Sequence, residues 1–129
     1  MPLSVIAVLP NSSDSNLISE SLGRDGIAVL IVPSPERALE LLGAAADDSV
    51  VLYDADTGQL WQDVLPCFFA ARPNVQVVLL TQFPSRQMWL DLFDQGGFDV
   101  VVRPFRPGDL RTVVRCALDP PRLFRKATA

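Results

Sequence analysis

Ser49-Val50-Val51-Leu52-Tyr53-Asp54-Ala55-Asp56 is the stretch that decides the fold. Four apolar or aromatic residues run without a polar break and stop at an aspartate. The run is short and rich in β-branched residues, and Thr57-Gly58 follow it. A helix would need a longer, periodic pattern, so these residues read as a central strand buried on both faces. In open parallel sheets, ligands and chemistry collect at the carboxyl ends of the strands. The reading therefore expects Asp54 to stand exposed where the apolar run stops.

Similar short apolar runs recur on either side. Leu3–Leu9, Ile27–Val32, Val75–Leu80 and Phe98–Val102 read as four further strands. Helical patterns lie between them. The first helix starts at a cap among Ser12, Ser13 and Asp14 and runs to about Leu22. The second opens at Ser34-Pro35-Glu36, with a capping serine, proline at the first position and an acid in the first turn. The third covers roughly Leu60–Ala71, where Pro66 is expected to kink or split it. The fourth covers about Ser85–Asp94 and ends at Gly96-Gly97. The fifth spans Pro107–Leu118, with Leu110, Val113, Val114 and Ala117 at helical spacing. Five βα units in succession predict an α/β domain: a doubly wound, five-stranded parallel sheet with helices on both faces. Residues 1–121 form that domain, and Pro120-Pro121 close it. The stretch 122–129 reads as a basic tail or the start of a linker.

Composition narrows the function classes. The chain has 129 residues, 49% of them hydrophobic, which suits one domain with a single core. A net charge of −4 with no histidine argues against direct binding of nucleic acid, which needs clustered Lys and Arg. No apolar run approaches the ~20 residues of a membrane-spanning helix. The start of the chain lacks the basic segment and cleavage site of a signal peptide. Cys67 and Cys116 lie in predicted helices without metal-binding spacing, so free thiols and a cytoplasmic location are expected.

In a sheet of order 2-1-3-4-5, the carboxyl ends of strands one, three, four and five bring Asn11, Asp54, Thr81 and Arg103 around one cleft. A carboxylate, a hydroxyl and a cation together suit a phosphoryl group carried on a carboxylate. Asp54 is the candidate nucleophile, Thr81 a hydrogen-bond donor to a phosphoryl oxygen, and Arg103 the neutralising charge. The bland alternatives are that Asp54 or Thr81 caps the following helix and that Arg103 is a structural ion-pair partner.

The chain resembles the receiver domain of bacterial response regulators, of the chemotaxis-regulator type. The resemblance is carried by Val50-Val51-Leu52-Tyr53-Asp54, by Val78-Leu79-Leu80-Thr81, and by Gly97-Phe98-Asp99-Val100-Val101-Val102-Arg103-Pro104-Phe105 followed by Asp109-Leu110. It covers roughly Leu3 to Leu118. It implies a flavodoxin-like fold with five helices and a place in two-component phosphorelay signalling. Asp54 is then the candidate phosphoacceptor, a histidine kinase or another signalling protein the partner, and Mg²⁺ the one cofactor. No enzymatic activity is implied beyond self-phosphorylation from a donor at Asp54.

Five departures mark the chain as atypical. Pro10 and Asn11 stand where the family places two acids that hold Mg²⁺, so Asp54, Asp56 and Asn11 form a weak metal site or none. Asp14 and Asp56 are the acids near enough in sequence to restore charge. Arg103 replaces lysine. Gln82 takes the place of a small residue after the hydroxyl, and Val100 that of a switching aromatic. The loop after Asp54 is short and lacks the family's Met-Pro. Two readings of the same fold follow: a receiver phosphorylated at Asp54, and a phosphorylation-independent pseudo-receiver acting by protein contacts. A haloacid-dehalogenase-like or flavodoxin-like ligand-binding domain is a third. Met88 and Trp89 on the fourth helix mark a candidate interface for a partner or a homodimer, through the surface of helix four, strand five and helix five.

Overall fold

The computed structural model describes residues 4–10, 14–44, 49–56 and 60–118. Strands and helices alternate as β1 (Ser4–Val8), α1 (Ser15–Gly23), β2 (Ala28–Val32), α2 (Pro35–Ala44) and β3 (Val50–Asp54). They continue as α3 (Trp61–Ala71), β4 (Gln76–Thr81), α4 (Arg86–Asp94), β5 (Asp99–Val102) and α5 (Pro107–Leu118). Every pairing is parallel, and the sheet order is β2-β1-β3-β4-β5. This is the predicted doubly wound topology. Asn11, the caps expected at Ser12 and Ser13, Thr57-Gly58, Pro120-Pro121 and the basic tail lie outside the described residues.

Two apolar clusters sandwich the sheet, and strand alternation feeds both. In β3, Val51 and Tyr53 point into the cluster that includes Ala38 and Leu42 of α2, Trp61, Val64, Leu65 and Phe68 of α3, and Leu92 of α4. Val50 and Leu52 point the other way, among Ile18 and Leu22 of α1 and Leu110 and Val114 of α5. With both faces covered, β3 is buried along its whole length. That burial explains why its sequence shows no polar alternation.

Register sets the site. Asp54 pairs with Leu80, so Thr81 lies one residue further out on the neighbouring strand. Thr81 in turn pairs with Val102, which puts Arg103 one residue beyond. The three side chains therefore form a stepped row along one edge of the sheet.

The helix ends follow local chemistry. Ser85 caps α4 by accepting from the Met88 N–H at 3.1 Å. The other end closes with Gly96 N–H to Phe93 O at 3.0 Å and Gly97 N–H to Leu92 O at 2.8 Å. Gly96 adopts φ +92°, and a Cβ on Gly97 would lie 2.1 Å from Leu92 Cδ1, so both positions need glycine.

Pro66 neither splits α3 nor ends it; the helix is one element from Trp61 to Ala71. The carbonyl that the proline leaves without an N–H belongs to Gln62. Gln62 and Pro66 are both exposed, so water can take that hydrogen bond. Cys67 and Cys116 are free and exposed on α3 and α5. Among the described residues, no helix is long and apolar enough to cross a membrane.

Candidate functional site

Asp54 ends β3, and it is not exposed: only 4% of its surface meets solvent. Arg103 and Asp56 lie against it, which the strand pattern alone could not reveal. Asp54 Oδ1 accepts from the Asp56 N–H at 3.0 Å and from Arg103 Nη1 at 3.2 Å. The first of these bonds closes a tight turn that folds Asp56 back over the strand end.

Asp56 becomes the centre of the cleft. Its Oδ1 accepts a short bond, 2.5 Å, from the Thr81 hydroxyl. Its Oδ2 accepts from the Gln82 N–H at 2.7 Å and from Arg103 Nη1 at 3.2 Å. Thr81 is fully buried at the end of β4. Its oxygen also accepts from the Phe83 N–H at 2.9 Å. Because Ser85 caps α4, Thr81 is not that helix's cap. Asp54 does not cap α3 either, since Leu60 stands at its N-terminus without a side-chain bond.

Arg103 is the hub. Its Nε donates to Asp14 Oδ2 at 2.8 Å, while Nη1 serves Asp54 and Asp56. The guanidinium lies 5.9 Å from the centre of the Phe105 ring. Its backbone N–H is fixed to Thr81 O at 2.7 Å, and a cis peptide joins it to Pro104. Burial works against the charged form, yet the hydrogen bonds and charges of Asp14 and Asp54 outweigh it and hold the Arg103 pKa above the ordinary arginine value. Beneath the cleft, burial pushes the Tyr53 phenol up, with the charges of Asp54 and Glu36 adding to it.

The structure thus brings Asp54, Asp56, Thr81, Arg103 and the backbone of Gln82 into one contact network. The Gln82 side chain is exposed, and Asn11 lies outside the described residues. Asp14 joins the network, where sequence reasoning had weighed it as a helix cap or a source of metal charge. It stands at the N-cap position of α1 but makes no side-chain cap bond there. Phe105, quoted in the sequence only as the end of the family-like segment, was missed as a partner of Arg103. Val100 is buried in β5. Among the described residues, no group of three His, Cys, Asp or Glu side chains is arranged to hold a metal ion.

On α4, Met88 and Trp89 are half-buried against the core. The larger exposed apolar surface belongs to Leu90 and Phe93, about half exposed, and to Phe83 just before the helix. The rings of Trp89 and Phe93 lie 5.7 Å apart. Helical periodicity sets Met88, Trp89, Leu92 and Phe93 on one side, more than the sheet can cover; Leu92 is buried against it, and Phe93 is the one left exposed.

No protein-family profile matches the sequence, and no curated protein matches it. Solved structures do match. The chemotaxis protein CheY4 of Vibrio cholerae superposes with a TM-score of 0.81 at 19% identity, over 91% of this chain and 99% of that one. A response regulator from Thermotoga maritima gives 0.82 at 19% identity, over 92% and 98% of the two chains. The beryllofluoride-activated receiver domain of NtrC4, solved as a dimer, gives 0.82 at 14% identity, over 90% and 96%. The fold is that of a response regulator receiver domain. Within the receiver fold, Asp54, Thr81 and Arg103 fall at the carboxyl ends of β3, β4 and β5.

Proposed function

We propose that this chain is an atypical receiver module of two-component signalling, acting in the cytoplasm through protein contacts that do not depend on phosphorylation of Asp54. The observation that carries this reading is the position of Arg103 Nη1, 3.2 Å from both Asp54 Oδ1 and Asp56 Oδ2. A nucleophile must present a free lone pair to its donor. Here the Asp54 side chain is only 5% exposed and a guanidinium lies against its Oδ1, so burial and the neighbouring cation restrict a donor's approach to the carboxylate. The same contact speaks against resident Mg²⁺. That ion needs several oxygen ligands and keeps its own waters, whereas these carboxylates already share a fixed cation. In this role the module works without a metal-dependent step and without catalysis of its own.

The partner is a histidine kinase or another signalling protein. The surface proposed for it, or for a second copy of the chain, is that of α4, β5 and α5. Phe83, Leu90, Phe93 and Val102 are its exposed apolar residues. Arg86, Arg106 and Asp94 supply both signs of charge around them. The net charge of −4 supports a protein partner over direct contact with nucleic acid.

The competing reading is a conventional switch phosphorylated at Asp54, favoured by the presence of Thr81 and Arg103 in the same network. Treatment with acetyl phosphate and Mg²⁺, followed by intact-mass spectrometry, separates the two. The expected result is no added phosphoryl group, or only slow and partial addition. Rapid, stoichiometric modification lost in Asp54→Asn would replace the proposed reading with the conventional one.

A further inference from the structure

The two outer strands of the sheet are built differently. β5 begins at Asp99 and runs directly into Arg103-Pro104. A charge and a proline are devices that keep a free edge from pairing. β2, Ala28-Val29-Leu30-Ile31-Val32, contains neither. The Val32 carbonyl accepts from the Leu9 N–H, so Val32 turns its backbone groups toward β1. Backbone groups alternate along a strand. Ala28 and Leu30 therefore also face β1, while Val29 and Ile31 present N–H and C=O outward. Among the described residues, no strand lies beyond β2 in the sheet. Side chains leave this edge apolar on both faces. Val32 packs with Ala38 and Leu42 of α2, and Val29 against the cluster of Ile18 and Leu22 of α1. Between them, Leu30 on the α2 side stays 49% exposed and Ile31 on the α1 side 37%. We infer that β2 is a pairing edge, and that its occupant is the β2 strand of a second copy, laid antiparallel about a two-fold axis at Leu30.

Register argues for that occupant. With Leu30 opposite its own counterpart, Val29 of each copy faces Ile31 of the other, and every outward backbone group meets a complementary one. The Leu30 pair is then a non-hydrogen-bonded one, the arrangement that brings side chains closest. Neighbouring registers fail. Centring on Ile31 sets Val29 against Pro33, which has no N–H to donate. Centring on Val29 sets Ile31 against Ile27, whose N–H is already given to Leu22 O at 3.1 Å. The strand carries no charge that would select a different partner. The adjacent α2 exposes Arg37 and Glu40, paired at 2.6 Å, so no single sign of charge repels a second copy. The edge lies at the other end of the sheet from β5, and the contact is separate from the surface of α4, β5 and α5. A five-residue edge is small beside the ~1,600 Å² of a standard interface, which puts the pairing in the weak, transient class.

Disulfide trapping tests the inference on the full chain, in a Cys67→Ser/Cys116→Ser background because both thiols are exposed. In the paired state, Leu30→Cys sets two thiols on Cα atoms about 4.5 Å apart, within reach of a disulfide. Ala28→Cys, exposed on the same face, sets them about 14 Å apart along the strands, out of reach. In a glutathione redox buffer, Leu30→Cys is expected to form the covalent dimer at least about tenfold faster than Ala28→Cys, because pairing raises the effective concentration of the second thiol. Equal rates would overturn the inference. A second measurement needs no substitution. As the concentration of the unaltered chain rises, amide exchange should slow at Val29 and Ile31 and stay unchanged at Leu30, whose N–H faces β1. Rates at Val29 and Ile31 that do not change with concentration would overturn the inference. So would full protection of both in dilute solution, which would mean that another segment of the same chain covers the edge.

Discussion

Arg103 shows what a change of cation does to a cleft. A lysine carries one charged nitrogen, whereas a planar guanidinium presents in-plane donors along more than one edge. Arg103 uses that fork to reach Asp14 through Nε and both Asp54 and Asp56 through Nη1. The contact to Asp14 spans 89 positions of sequence and ties the start of α1 to the end of β5. The guanidinium is 12% exposed and Asp54 5% exposed, so removing the cation leaves a buried carboxylate without it. Breaking such a pair typically costs about 3–5 kcal/mol. Arg103→Ala is therefore expected to lose stability on that scale near neutral pH. Urea denaturation in a buffer free of divalent cations measures it. A loss within about 0.5 kcal/mol, the range of ordinary surface changes, would mean that the cluster is not held by its charge.

The elements were legible wherever one physical signal dominated. The unbroken run Val50–Tyr53, the glycine stop of α4 and the helical spacing of α5 each had one consistent reading, and the structure follows them to within a residue or two. Failures came where tertiary context decided. Pro66 did not split α3, and Gln62 and Pro66 are both exposed, so water can serve the freed carbonyl. Asp14 was drawn from capping into an ion pair by a residue far along the chain. Helix α4 carries more apolar residues on one side, Met88, Trp89, Leu92 and Phe93, than the sheet can cover, and sequence alone could not choose that Phe93 would be the one left outside. Leu90 and Phe93, three positions apart, share an outward strip instead. That strip gives the element-scale prediction. Leu90→Asp/Phe93→Asp should fold with little change in stability and should lose self-association, or capture of a signalling partner, seen with the unaltered chain by sedimentation. A parent chain that is monomeric at every concentration, with partner capture unchanged in the variant, would remove the role of this face.

At the scale of the molecule, sheet order and register made the cleft predictable. Strands β1, β3, β4 and β5 have to end side by side in a sheet of this order, so Asp54, Thr81 and Arg103 could be placed together from sequence alone. Their contacts could not. A sequence shows that Asp56 lies two residues after Asp54, but not that its carboxylate turns inward to meet Thr81 and Gln82. The central claim is that this receiver fold keeps its cleft filled by its own charges. Titration with Mg²⁺ and beryllofluoride, a phosphoryl mimic, tests that claim most directly, with the amide resonances of Asp54, Asp56 and Gln82 as reporters. The prediction is no saturable change at these residues below millimolar Mg²⁺, with or without beryllofluoride. Saturable binding well below millimolar, with shifts centred on Asp54 and Gln82, would contradict it.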